Sequence, residues 1–110
     1  MRRESDAEAP PPDHTRKRVL IVDDEPSMRQ LIRRLVEPEF DVIWFEADDG
    51  TTALECLLRE RIDLMLLDLT MRVMDGIETL EALRRSPAFS QLPVLLLTGR
   101  PDEERVRRAI

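Results

Sequence analysis

Apolar residues along the chain follow two alternating patterns. Short, largely continuous runs occur at Val19–Val22, Val42–Phe45, Ile62–Leu67 and Pro93–Leu97. Runs of this length suit strands covered on both faces, as in a parallel sheet. Between them, apolar residues recur every third or fourth position. Met28, Leu31, Ile32, Leu35 and Val36 form one helical stripe, with Arg29, Arg33 and Arg34 off it. Pro26 suits the first turn of that helix, with Asp24 or Glu25 near its cap, and Pro38 closes it. Asp48-Asp49-Gly50 is a turn, and Ala53, Leu54, Leu57 and Leu58 mark a second helix after it. Ile77, Leu80 and Leu83 mark a third, between Asp75-Gly76 and Pro87. Pro101, followed by Asp102, Glu103 and Glu104, starts a fourth, with acids at its positive end. The order β-α-β-α-β-α-β-α predicts an α/β fold: a doubly wound parallel sheet with right-handed crossovers and helices on both faces.

Residues 1–17 lack this patterning. They contain Pro10-Pro11-Pro12, mixed charges and no large apolar residue after Met1, which reads as a disordered tail. His14 lies there without a second His or a Cys, so a metal role for it has no support. The patterned domain is expected over 18–110. Composition adds exclusions. The 110 residues hold 17 Lys and Arg against 23 Asp and Glu, a net charge of −6. The tail holds four of each sign, so the whole excess falls in 18–110. A negative domain without a basic stretch argues against direct nucleic-acid binding. No apolar run approaches the roughly 20 residues of a membrane span, and no signal peptide is visible, so a cytoplasmic location is expected. Cys56 is the only cysteine, which excludes an internal disulfide and fits a reducing compartment. On its helix it reads as a packing residue, as Trp44 and Phe45 do on the second strand.

Three of the strands end in polar residues: Asp23-Asp24, Asp68 and Thr98. In open α/β sheets, ligands bind outside the carboxyl ends of the strands, so residues far apart in sequence can meet in one crevice. A single acid or Thr in such a place is better explained as a turn or cap residue. The conjunction is harder to explain that way. Two charges 4 Å apart cost about 4 kcal/mol at an effective dielectric of ~20. Either their pKa values rise or a cation binds. Hard oxygen ligands in an open site favour Mg²⁺. A carboxylate can also act as a nucleophile on phosphorus.

With these residues in view, the sequence resembles a response-regulator receiver domain of two-component signalling. The matching segments are VLIVDDEPSMR at 19–29, LMLLDLTMRVMDGIE at 64–78 and PVLLLTGR at 93–100. The resemblance implies a flavodoxin-like, CheY-like topology with strand order 2-1-3-4. It implies that Asp68 is the phosphoacceptor, charged by a histidine kinase or a phosphotransfer protein. Asp23 and Asp24 match the acidic pair that binds Mg²⁺, with Asp68 and the backbone carbonyl of Thr70 completing the site. Thr98 matches the hydroxyl that contacts the phosphoryl group and couples it to the surface. Gly99 matches the small residue that leaves space beside that group. Met71, Asp75 and Gly76 match the loop that shapes the pocket.

The sequence also departs from the family. Arg72 stands where proline is usual, and Arg100 occupies a variable position beside the pocket. The family continues through a fifth strand, which brings a Lys to the site, and a fifth helix. Lys17 is the only lysine here and precedes the first apolar run. The expectation is a truncated receiver with one sheet face partly uncovered: a fragment, a shortened reading frame, or a chain completed by another copy or by homodimerisation. Two rival functions remain. A haloacid-dehalogenase-like phosphohydrolase would need a second Asp where Thr70 stands. A degenerate receiver would only bind protein partners. The receiver reading implies no enzyme beyond self-phosphorylation and autodephosphorylation.

Overall fold

A computed structural model of the chain describes residues 16–69, 71 and 75–97. It contains four strands, β1 (Lys17–Val22), β2 (Val42–Ala47), β3 (Leu64–Asp68) and β4 (Val94–Leu97). Three helices connect them: α1 (Pro26–Val36), α2 (Gly50–Arg59) and α3 (Gly76–Arg85). The strands form one parallel sheet in the order β2-β1-β3-β4, the order expected from the resemblance. The expected tail to Thr15, the fourth helix, Arg72 and Arg100 lie outside the described residues. Lys17 does not precede the first strand: it pairs with Val42 and starts β1.

The two faces of the sheet are packed unequally. Leu20, Val22, Met65 and Leu67 point to one face and are fully buried. There Ala53, Cys56 and Leu57 of α2 and Ile77, Leu80 and Leu83 of α3 close over them in one core. Cys56, not Leu58, takes the inward position on α2, and Leu58 is exposed. Residues 53, 56 and 57 lie on a narrower arc than 54 and 58 allow, and that arc faces the sheet. Among the described residues on the opposite face, only Val19, Ile21 and Leu66 are buried. Helix α1 covers this face through Ile32, and none of its residues is buried. Leu31 is 47% exposed, Leu35 68% and Leu95 55%. The helix therefore has the predicted apolar stripe, but among the described residues only part of the stripe has a partner. Beside it lies an apolar groove of about 760 Å³, lined by residues that include Leu35, Phe40, Trp44, Leu64 and Leu95. Trp44 and Phe45 are half-buried on β2, with the guanidinium of Arg33 over the Trp44 ring and that of Arg18 over Phe45.

Caps fix where the helices start. Asp49 accepts a hydrogen bond from Thr52 N at 2.7 Å and begins α2. Asp75 begins α3 with a reciprocal capping box: its carboxylate accepts from Glu78 N at 2.8 Å, and its own N donates to Glu78 at 3.2 Å. Glycine is required at the next position. A β-carbon at Gly76 would run into the Asp68 carbonyl oxygen and the Leu69 α-carbon, and would lie 2.8 Å from the Asp68 carbonyl carbon. The first turn of α3 therefore rests on the backbone at the end of β3. Elsewhere in a helix, alanine is more favourable than glycine by about 1 kcal/mol. Here Gly76→Ala should cost about 1–3 kcal/mol, because backbone on both sides must shift. Urea unfolding checks this, and a gain in stability would refute the close approach.

Candidate functional site

Register brings the acids together. Val22 pairs with Leu67 across β1 and β3. Asp23 follows directly in one strand and Asp68 in the other, at the carboxyl end of the sheet. The chain goes from β1 outward to β2 and returns on the other side of β1 to β3, so this point is where the strand order reverses. The carboxylates of Asp23, Asp24 and Asp68 offer oxygen atoms that all lie within 4.8 Å of one another. Asp23 is buried, at 4% exposure, whereas Asp24 and Asp68 are half-buried.

Asp23 is held on several sides. Its N donates to Ala47 O at 3.1 Å, which carries the β1–β2 pairing one residue past β1. Its carboxylate accepts from Glu25 N at 2.9 Å, folding the chain back toward α1. Glu25 stands at the N-cap of α1, but its side chain makes no capping bond. The Asp23 carbonyl accepts from Arg29 Nη1 at 2.5 Å. Arg29 also donates to Glu46 Oε1 at 2.7 Å, and Arg33 donates to Glu46 Oε2 at 2.9 Å. These two guanidinium groups hold the Glu46 carboxyl below its usual range. The apolar pattern puts Arg29 simply off the stripe of α1. Its contact with the acidic site was signalled only weakly, by a glutamate inside an otherwise apolar strand.

Burial pushes the Asp23 carboxyl above its usual range, and the neighbouring Asp68 and Asp24 charges push the same way; the bond from Glu25 N opposes them. Three hard oxygen donors, one of them desolvated, suit a small divalent cation such as Mg²⁺. Asp75 caps α3, and Met71 is buried in the core shared by α2 and α3. Thr70, Thr98 and Gly99 lie outside the described residues. The structure thus brings Asp23, Asp24 and Asp68 together as expected, and adds Arg29 and Glu46 beside Asp23.

The raised pKa has a consequence for stability. Ionising Asp23 costs more in the folded chain than in the unfolded one. That cost is absent at low pH, where the group is protonated in both states. It appears as the pH rises through the raised folded pKa. Asn at position 23 keeps an oxygen that can accept from Glu25 N but carries no charge. Asp23→Asn should therefore melt a few degrees higher than the unaltered chain at pH 7 without Mg²⁺. The gain should shrink as the pH falls toward about 4. Thermal melts across this range check it, and a pH-independent gain would show that charge is not the cause.

Comparison with known proteins agrees with the geometry. Residues 19–110 match the family described as response regulator receiver domain. The nitrate/nitrite response regulator protein NarP of Escherichia coli K12 is 43% identical over 89 residues, covering 79% of this chain and 41% of NarP. The chemotaxis protein CheY of Pseudomonas aeruginosa is 37% identical over 92 residues, covering 84% of this chain and 74% of CheY. The chain spans between 10% and 41% of the length of other, longer curated relatives, NarP among them. Among solved structures, the Mn²⁺-bound form of response regulator Rcp1 superposes with a TM-score of 0.76 at 27% identity, covering 84% of this chain and 73% of Rcp1.

Proposed function

The chain belongs to the response regulator receiver family, and from that premise we propose that it takes a phosphoryl group onto Asp68 from a histidine kinase or a phosphotransfer protein. The observation that carries the proposal is the meeting of three carboxylates at the carboxyl ends of β1 and β3. Asp68, at the end of β3, is half-buried like Asp24 and open enough to meet a donor. A carboxylate oxygen of Asp68 attacks phosphorus, the bond from phosphorus to the donor's imidazole nitrogen breaks, and that nitrogen leaves with the electron pair. Asp23, Asp24 and Asp68 would hold Mg²⁺, together with the Thr70 carbonyl that the family pattern supplies. When bound, the ion neutralises charge on the transferring group and on the cluster. The Mn²⁺-bound form of Rcp1 supports a divalent ion here, because Mn²⁺ and Mg²⁺ share a preference for oxygen ligands.

Thr98 donates its hydroxyl to the phosphoryl group in this reading, and Gly99 leaves room beside it. The reaction modifies the chain's own side chain, so its chemistry ends at self-phosphorylation and autodephosphorylation, and we do not assign it as an enzyme. No helix among the described residues is long and apolar enough to cross a membrane. We assign the domain to the cytoplasm, with protein partners and no direct contact with nucleic acid. A second reading is a receiver that only binds proteins, or pairs with a second copy. It is favoured by one observation, the exposed apolar residues Leu31, Leu35 and Leu95.

Intact mass after incubation with acetyl phosphate tests the proposal. A single phosphoryl increment is expected with Mg²⁺ and not without it, and it should be lost in Asp68→Asn. Asp24→Asn should mainly raise the Mg²⁺ concentration required. Unchanged uptake by Asp68→Asn would overturn the assignment.

A further inference from the structure

We propose that Arg29 positions the Asp23–Asp24 turn for divalent-cation binding, with Glu46 as the anchor that holds its guanidinium. The inference rests on the receiver reading and extends it to residues outside the acidic cluster. Arg29 lies one turn into α1 and is largely shielded, with its side chain 15% exposed. Two of its three nitrogens are engaged in different directions: Nη1 on the Asp23 carbonyl at 2.5 Å, and Nε on Glu46 at 2.7 Å. Glu46 is held in turn by Arg33. The end of β2 therefore reaches Asp23 twice. Ala47 O takes the Asp23 N–H directly, and Glu46 steers the arginine that takes the Asp23 carbonyl. Together with the bond from Glu25 N to the carboxylate, these contacts fix the peptide units on both sides of the Asp23 side chain. The planar fork of Arg holds a carbonyl and a carboxylate through two different nitrogens in fixed directions, a geometry that the single nitrogen of an ammonium does not reproduce.

The sign of the effect separates positioning from charge. A guanidinium beside a cation site repels the cation. If Arg29 acted through its charge alone, neutralising it would tighten Mg²⁺ binding. Positioning requires the opposite. Outer-shell groups that orient metal ligands typically contribute about 10-fold or more to affinity.

Calorimetric titration of the full chain with Mg²⁺ makes the test, below the melting transition of every variant. Arg29→Gln should weaken binding about 10-fold. Arg29→Lys should recover part of the loss, because it restores one of the two contacts. Arg29→Gln combined with Glu46→Gln should be no weaker than Arg29→Gln alone, as expected of two groups acting as one unit. A lower melting temperature with Mg²⁺ affinity unchanged, or tighter, in Arg29→Gln would make the arginine a structural tie only and overturn the proposal. If the unaltered chain itself shows no saturable Mg²⁺ binding, the receiver reading falls and the inference falls with it. The failure of one is thereby distinguished from the failure of both.

Discussion

Val22 and Leu67 are paired neighbours in a parallel sheet, and the two residues that follow them are both acids. Parallel pairing makes both strands end on the same side, so Asp23 and Asp68 cannot diverge without losing the register that buries Leu20, Val22, Met65 and Leu67. A one-residue slip would turn those four side chains to the opposite face. The apolar core thus enforces an electrostatic conflict. Repulsion of about 4 kcal/mol per close pair is a large fraction of a domain's 5–15 kcal/mol stability. The conflict is relieved by a proton, a cation or hydrogen bonds to the carboxylates. The bond from Glu25 N and the raised pKa of Asp23 are responses of this kind at one member of the cluster. A site that is costly for the fold and well suited to a divalent ion is more than a set of turn residues.

Much of this could be read from the sequence, because the strongest signals were local. Four apolar runs became four strands, and the acids at their ends stand where a parallel order puts them. What could not be read depended on tertiary partners. The stripe on α1 predicts a buried face, yet burial depends on what lies opposite: Leu35 lines a groove and Leu31 is half exposed. On α2 the choice between Cys56 and Leu58 turned on helix rotation, which two equally apolar sets of positions cannot decide. Lys17 reads as a tail residue by composition, but Val42 gives its backbone a partner. The role of Arg29 was hidden for a related reason. A charged residue off the apolar stripe reads as solvated until Glu46, from a different strand, is seen beside it.

The two helices that flank the acids are attached by opposite means. Helix α3 is fastened by a buried apolar stripe, by its capping box, and by Gly76 lying against the backbone of Asp68 and Leu69. Its start is set by atoms that cannot move without disturbing β3. Helix α1 has no buried residue, and its start is tied to the sheet through Arg29, Glu46 and Arg33. These ion pairs are open to solvent on the glutamate side, and such pairs contribute about 0–1 kcal/mol each, far less than a buried stripe.

That asymmetry bears on how the site can work. Under the phosphoacceptor reading proposed above, a wall that fixes the nucleophile would stand opposite one that adapts as charge is added or neutralised. Asp68 sits on the side of the fixed wall, at the end of β3 and under the first turn of α3. Asp23 sits on the side of the adaptable wall, where its carbonyl faces Arg29. Changing the charge in the cluster alters the field on the Asp23 turn, and the nearest element held by weak, polar, rearrangeable contacts is α1.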